Sequence, residues 1–153
     1  MFLWFNKKRF LLDRDDRERV TATIRTVESK TTGEVRVFVE SRCAYMDAMD
    51  RAKELFFRLK MMHTERRNAV IIYLALDDHQ FAIYGDENAF VQLGGAQFWQ
   101  RAADILLQKL KEGKVAEGLV CCIEAVGQEL ATHFPFDPTV HKNELPDEIV
   151  FGK

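Results

Sequence analysis

Four oxygen-bearing side chains carry the clearest chemical possibility in this sequence. Glu34, Asp86 and Glu87 supply carboxylates, and Asn68 supplies a neutral amide oxygen. Calcium accepts oxygen ligands in irregular geometry, so loops from separate strand ends, backbone carbonyls and water can complete a site. The four residues therefore predict a divalent-cation site, for Ca²⁺ or else Mg²⁺ or another divalent cation. The alternative is that they are ordinary solvated carboxylates at strand ends.

The familiar catalytic signatures are missing from the chain. The sequence contains no G-x-x-x-x-G-K-[ST] or G-x-G-x-x-G motif for phosphates, and no H-E-x-x-H or C-x-x-C motif for zinc. The positions six residues after the three cysteines hold Met49, Gly127 and Gln128, so a cysteine phosphatase loop is excluded. The catalytic residues, if there are any, stay unknown.

Composition and charge limit the partners and the compartment. The 153 residues carry 22 Lys and Arg against 24 Asp and Glu, a net charge of −2, so no global positive field attracts nucleic acid. Three cysteines, two of them adjacent, do not make a disulfide framework. The start of the chain places its basic residues after its apolar ones, the reverse of a secretory signal. We therefore expect a cytoplasmic protein that does not bind nucleic acid.

The elements that must position these residues follow from hydrophobic periodicity. Helical spacing predicts helices over residues 14–29 and 47–62, and β-branched or apolar runs predict strands over 34–41, 69–76 and 79–84. A short helical turn near residues 87–92 and two long helices, over 96–111 and 114–133, follow. A strand–helix–strand unit makes the first two strands parallel, and the turn at Asp77 and Asp78 makes the third antiparallel. The prediction is an α/β/α sandwich with a small mixed sheet covered by helices on both faces.

This topology predicts two groups of polar residues at opposite edges of the sheet. Glu34 begins the first strand, Asn68 precedes the second, and Asp86 follows the third, so all three should lie at one edge. The other edge should gather a second acidic group, made of Asp47, Asp50, Asp77 and Asp78.

The first residues of the chain form a segment of their own. Residues 1–12 combine large apolar side chains with the basic run Lys7-Lys8-Arg9, and the domain follows over residues 13–150. An apolar and basic segment of this kind can contact a membrane surface or a protein partner through residues 2–11. The alternative is that it packs on the domain.

A set of short motifs, taken in order, resembles a known family. They are Thr31-Thr32-Gly33-Glu34-Val35-Arg36-Val37, Arg67-Asn68-Ala69-Val70, Ile83-Tyr84-Gly85-Asp86, Phe98-Trp99, Glu112-Gly113, Glu117-Gly118-Leu119 and Asn143-Glu144-Leu145-Pro146-Asp147-Glu148-Ile149. The chain is similar to the short, soluble branch of the TPM domain family, also called TPM phosphatases. The resemblance implies an α/β/α sandwich and associates the family with divalent-cation binding and with acid phosphatase activity. It places Glu34, Asn68 and Asp86 at the cation, whereas Glu87 stands at a position where relatives carry Lys, Glu or another polar residue.

Three functions follow, in order of preference. The first is a domain that binds a divalent cation in a structural or accessory role. The second is a metal-assisted acid phosphatase, in which a metal-bound water attacks and Arg66 and Arg67 offset the phosphate charge. The third is an interaction module that uses the N-terminal apolar and basic segment.

Overall fold

The computed structural model describes residues 2–3, 12–140 and 149–152, and it confirms the α/β/α sandwich. The elements in chain order are β1 (Phe2–Leu3), α1 (Arg14–Glu28), β2 (Glu34–Glu40), α2 (Ala48–Arg58), β3 (Ala69–Ala75), β4 (Gln80–Gly85), α3 (Glu87–Gln92), α4 (Gly95–Lys111), α5 (Val115–His133) and β5 (Val150–Phe151).

The sheet has the strand order β1-β4-β3-β2-β5. Its centre is as predicted: β2 and β3 are parallel, with Glu34 level with Ala69, and β4 is antiparallel to β3. The prediction missed both edge strands. β1 pairs antiparallel with β4, and β5 pairs parallel with β2. Each is two residues long, too short for an alternating pattern to show in the sequence.

Two layers of helices cover the sheet because its side chains alternate between the faces. Val35, Val37 and Val39 of β2 pack in the larger core with α1, α4 and α5, and every second residue of β3 and β4 joins them. Phe38, Ile71 and Tyr73 point the other way, onto α2. All seven residues of β3 are buried, which explains the uninterrupted apolar run at this point of the sequence.

The first two predicted helices begin at aspartates. Asp13 accepts a hydrogen bond from the Asp16 N–H, and Asp47 accepts one from the Asp50 N–H, so both side chains cap free amides. The second helix ends at Arg58, four residues before the predicted end at residue 62. Lys60 takes a positive φ of 57°, and the Met61 N–H returns to the Phe56 carbonyl. This closes the helix as a Schellman motif without the glycine that usually signals one.

The N-terminal segment lies mostly outside the described residues. The backbone of Phe2 and Leu3 pairs with β4, whereas residues 4–11, which carry the basic run, lie beyond the described part of the chain. The predicted contact with a membrane or a partner through residues 2–11 therefore stays a prediction. The boundary between residues 12 and 13 also stays a prediction.

Candidate functional site

The three strand ends meet at one edge of the sheet, as the topology predicts. Glu34 is level with Ala69 in the parallel ladder, and the Asp86 N–H donates to the Ala69 carbonyl at 2.9 Å. Asn68 directly precedes Ala69. Glu34, Asn68 and Asp86 are all buried, which is unusual for residues of these types.

Asp86 is held by an arginine. The Arg67 guanidinium donates from Nε to Oδ2 at 2.6 Å and from Nη2 to Oδ1 at 2.8 Å, a two-point ion pair with a buried carboxylate. Oδ1 also accepts the Glu87 N–H at 2.8 Å and so caps α3. The carboxylate in turn raises the pKa of Arg67 above its ordinary value. Asp86 is therefore both a helix cap and one half of an ion pair.

The sequence analysis named Arg67 as a cation near this edge but did not predict its ion pair with Asp86. Its side chain is 39% exposed, and its Nη1 also lies 3.5 Å from a carboxylate oxygen of Glu87. Glu87 is itself 66% exposed, so it sits at the rim of the site. Of the four predicted ligands, Glu34, Asn68 and Asp86 are buried at this edge of the sheet, and Glu87 is exposed.

The side chain of Asn68 has one polar atom without a hydrogen-bond partner among the described residues. Its Nδ2 donates to the Thr32 hydroxyl at 3.2 Å, and its backbone N–H points to the Thr64 hydroxyl at 3.4 Å. Its Oδ1 is buried and accepts no hydrogen bond from the described residues. A buried carbonyl oxygen without a hydrogen bond lowers the stability of the folded state by about 1–3 kcal/mol. A bound ligand or water would satisfy it.

Metal-ligand clusters of the usual kind do not form in the described ranges. Among residues 12–140 and 149–152, no three His, Cys, Asp or Glu side chains group as metal ligands do. At the opposite edge, Asp47 accepts the Asp50 N–H and Asp78 accepts the Cys43 N–H at 2.6 Å. Those two carboxylates therefore accept hydrogen bonds from backbone N–H groups.

A second buried carboxylate lies at the other end of the central strands. Glu40 accepts two hydrogen bonds from Arg51, at 2.9 and 3.1 Å, and one from the Tyr73 hydroxyl at 2.5 Å. Burial and the hydrogen bond to Glu40 raise the pKa of Tyr73 far above its ordinary value. Burial also raises the pKa of Cys43, which lies beside Tyr73. We call Glu40, Arg51 and Tyr73 the Glu40 cluster. The sequence analysis did not identify it, because the spacing of these residues along the chain does not predict a contact between them.

A groove of about 640 Å³ opens beside Arg67 and Asp86. Its floor is the end of β4, and its two sides are formed by α2 and by α3 with α4. Its lining is Met49, Lys53, Phe57, Arg67, Ile83, Tyr84, Gly85, Asp86, Glu87, Phe90, Val91 and Trp99. Burial raises the pKa of Tyr84 in this groove, and the negative charge of Asp86 acts in the same direction.

Comparison with known proteins agrees with this architecture. A family model described as the TPM domain matches residues 6–129. The chain belongs to the TPM domain family. It is similar to the BA42 protein of the psychrophilic bacterium Bizionia argentinensis, with which it shares 34% sequence identity. The NMR structure of BA42 superposes on this chain with a TM-score of 0.84, and the match covers 97% of this chain and 100% of that one.

A more distant structure shares the fold alone. The N-terminal domain of the cg2496 protein from Corynebacterium glutamicum is 16% identical, with a TM-score of 0.64 over 85% of this chain and 88% of that one. No protein with a curated description matches the chain. No helix in the described ranges of this TPM domain is long and apolar enough to cross a membrane.

Proposed function

We propose that this TPM domain binds a divalent cation, with calcium the first choice, at the edge formed by Glu34, Asn68 and Asp86. The role is structural or accessory. The observation that carries the proposal is the Asn68 Oδ1 atom, which is buried and accepts no hydrogen bond from the described residues. It belongs to an edge that also holds two buried carboxylates. A hard cation takes carbonyl and carboxylate oxygens together, so the donor set suits calcium or magnesium.

Arg67 occupies the place of a competing cation in this proposal. It neutralises Asp86, and a metal ion that used the Asp86 oxygens would have to displace the guanidinium. The partial exposure of Arg67 makes that exchange feasible, because the guanidinium can turn into solvent while the ion neutralises the buried Asp86 carboxylate. Glu87 would then serve as an outer ligand. We therefore expect a modest affinity that depends on Arg67.

The test is a calcium titration of chelator-treated protein, followed by calorimetry and by thermal unfolding. At a calcium concentration of 100 times Kd, the native state should gain about 2.7 kcal/mol, provided that the unfolded chain does not bind the ion. Glu34→Gln keeps the shape of the side chain but removes its charge, and it should abolish most of that gain.

Asp77→Asn is the matched control. Asp77 is an exposed carboxylate at the opposite edge, and its removal should leave the calcium response intact. It is a cleaner control than Asp78, whose carboxylate accepts the Cys43 N–H. An equal response in wild type and Glu34→Gln would move the site elsewhere. If neither calcium nor magnesium stabilises the wild type, the proposal fails.

The other two functions have less support from the contacts of this chain. Arg66 pairs with Asp137 at 3.2 Å and Arg67 pairs with Asp86, so a phosphate group would have to compete for both. No observation favours the phosphatase over cation binding. The interaction through residues 2–11 depends largely on residues outside the described ranges. The cytoplasmic location is likewise still a prediction.

A further inference from the structure

The outer edge of β4 is only partly covered. Among the described residues, β1 pairs only with Phe81 and Gln80. The Asp86 N–H bonds to Ala69, so the antiparallel ladder directs the backbone groups of Tyr84 and Ala82 toward β3. The backbone N–H and C=O groups of Ile83 and Gly85 then point outward, where no strand among the described residues meets them. An edge in this state is a template for another strand.

This edge is the floor of the groove between two walls. Met49, Lys53 and Phe57 of α2 form one wall, and Phe90, Val91 and Trp99 form the other. Eight large apolar side chains are exposed in the described part of the chain, and three of them line this groove: Phe57 at 55%, Phe90 at 44% and Val91 at 69% exposure. Such a concentration of exposed apolar surface beside a strand edge is typical of a binding site for another chain.

The second wall is held by contacts of Trp99 with Gly85 and Phe90. The Trp99 ring lies so close to Gly85 that a Cβ atom there would be 2.7 Å from it. The Trp99 Nε1 donates to the Phe90 carbonyl at 3.2 Å, and the two rings stack with centroids 6.3 Å apart. The aromatic surface is therefore held in place before anything binds, which lowers the entropic cost of binding.

The charge in the groove is unbalanced at Lys53. Its Nζ lies 5.9 Å from the centre of the Tyr84 ring, and the side chain is exposed. Arg67, by contrast, is paired with Asp86 and Glu87. No carboxylate of the described residues forms an ion pair with Lys53, so an incoming acidic side chain would complement it.

We propose that the groove binds an extended segment of a partner protein, which adds to β4 as an antiparallel strand. The segment would continue the line of β1, place apolar side chains against Phe57 and Phe90, and place an acidic side chain near Lys53. A single strand fits between two walls, whereas the sheet edge of a second copy would bring its own helices into the same space. Main-chain hydrogen bonds to Ile83 and Gly85 would supply affinity, and the side-chain contacts would supply selectivity.

The experiment uses capped eight-residue peptides in which Val alternates with Glu, in both registers, and follows the amide resonances of the full chain by NMR. One register should bind, and it should slow hydrogen exchange at the Ile83 and Gly85 amides. A peptide with Lys in place of Glu should bind about tenfold more weakly, equivalent to about 1.4 kcal/mol. A peptide with a central Pro should not bind, because Pro cannot complete the ladder.

Two variants separate the contacts from the fold. Phe57→Ser removes an exposed ring and should weaken binding about tenfold or more, while the thermal unfolding stays close to wild type. Lys53→Glu should reverse the preference, so that the Lys peptide binds better than the Glu peptide.

Three results would overturn the proposal. They are binding of neither register, equal binding of the Pro peptide, and slow exchange at Ile83 and Gly85 before any peptide is added. In the last case sedimentation would tell whether a second copy or the chain itself fills the groove.

Discussion

Two buried carboxylates, each in an ion pair with an arginine, lie at opposite ends of the central strands. Glu40 is bound by Arg51, which is 18% exposed, and by the hydroxyl of the buried Tyr73. Asp86 is bound by Arg67, which is more than twice as exposed. Both ion pairs have two-point geometry. The difference lies in what surrounds them.

We call the Glu40 cluster closed and the Asp86 pair open, because Arg51 is mostly buried whereas Arg67 is partly exposed beside a groove. At Glu40, three strong donors converge on one carboxylate against the aromatic core under α2. At Asp86, the arginine faces a groove, and the Oδ1 atom of the neighbouring Asn68 accepts no hydrogen bond from the described residues. A closed, satisfied network specifies one arrangement of the core, whereas an open and partly satisfied edge can exchange its partner. We therefore expect the first region to contribute mainly to stability and the second to contribute to binding.

The largest expected effect is at the closed cluster. Arg51→Met keeps the length of the side chain but leaves the Glu40 carboxylate without its cation. Breaking a buried pair in this way costs about 3–5 kcal/mol. The free energy of unfolding in urea at pH 7 measures the loss. The double variant Glu40→Gln with Arg51→Met should recover part of it, since no lone charge remains buried. A loss below about 1 kcal/mol would place the pair among ordinary surface contacts.

Tyr73→Phe should have an intermediate effect on the same cluster. It removes one hydrogen bond to a charged group, which is worth about 1.5–3 kcal/mol, while the ring can still pack against Phe38. The pKa of Tyr73 is raised in the folded protein, so above pH 10 the unfolded chain ionises this group and the native state does not. Stability should therefore fall with rising pH by about 1.4 kcal/mol per unit for this one proton.

Urea unfolding between pH 8 and 11 tests that slope. Tyr73→Phe should reduce the alkaline loss of stability by the amount that one group contributes. Tyr84→Phe is the comparison from the open region, because the pKa of Tyr84 is raised but its side chain is only partly buried. We expect a smaller change in slope there. Identical slopes for wild type and Tyr73→Phe would mean that Tyr73 ionises in the native state.

The centre of the fold was predictable because its signals are local and repeated. The buried run of β3, the alternation in β2 and the turn at Asp77 determine the order and direction of three strands. Direction alone then brings Glu34, Asn68 and Asp86 to one edge. The two edge strands were not predicted, because a strand of two residues is too short to show an alternation of apolar and polar side chains.

The contacts of the site were less predictable than its position. The ion pair of Arg67 depends on a positive φ of 50° at that residue, and no glycine or asparagine there signals such a turn. The Glu40 cluster joins residues from β2, α2 and β3, and its contacts depend on how α2 packs on the sheet. The groove likewise combines three helices with one strand end. Sequence spacing describes single elements, whereas these sites arise between elements.

The smallest expected change in stability is at the open pair. Arg67→Gln should cost less than Arg51→Met in the absence of calcium, about 1–3 kcal/mol, because Arg67 is partly exposed and the buried Asp86 keeps the Glu87 N–H as a partner. The same substitution should raise the affinity for calcium, although it lowers stability. With the competing guanidinium removed, Asp86 is free to bind the ion, and calorimetry should show an affinity higher by on the order of tenfold.

Arg66→Gln is the matched control for that variant. Arg66 is the adjacent arginine, but its ion pair is with Asp137, so its loss should leave the calcium affinity unchanged. If Arg67→Gln lowers stability and leaves calcium affinity unchanged, the ion does not use Asp86. The site would then reduce to Glu34 and Asn68, and the Asp86 pair would be a structural counterpart of the Glu40 cluster in spite of its exposure. The sign of this one change in affinity therefore decides whether the two regions differ in kind or only in degree of burial.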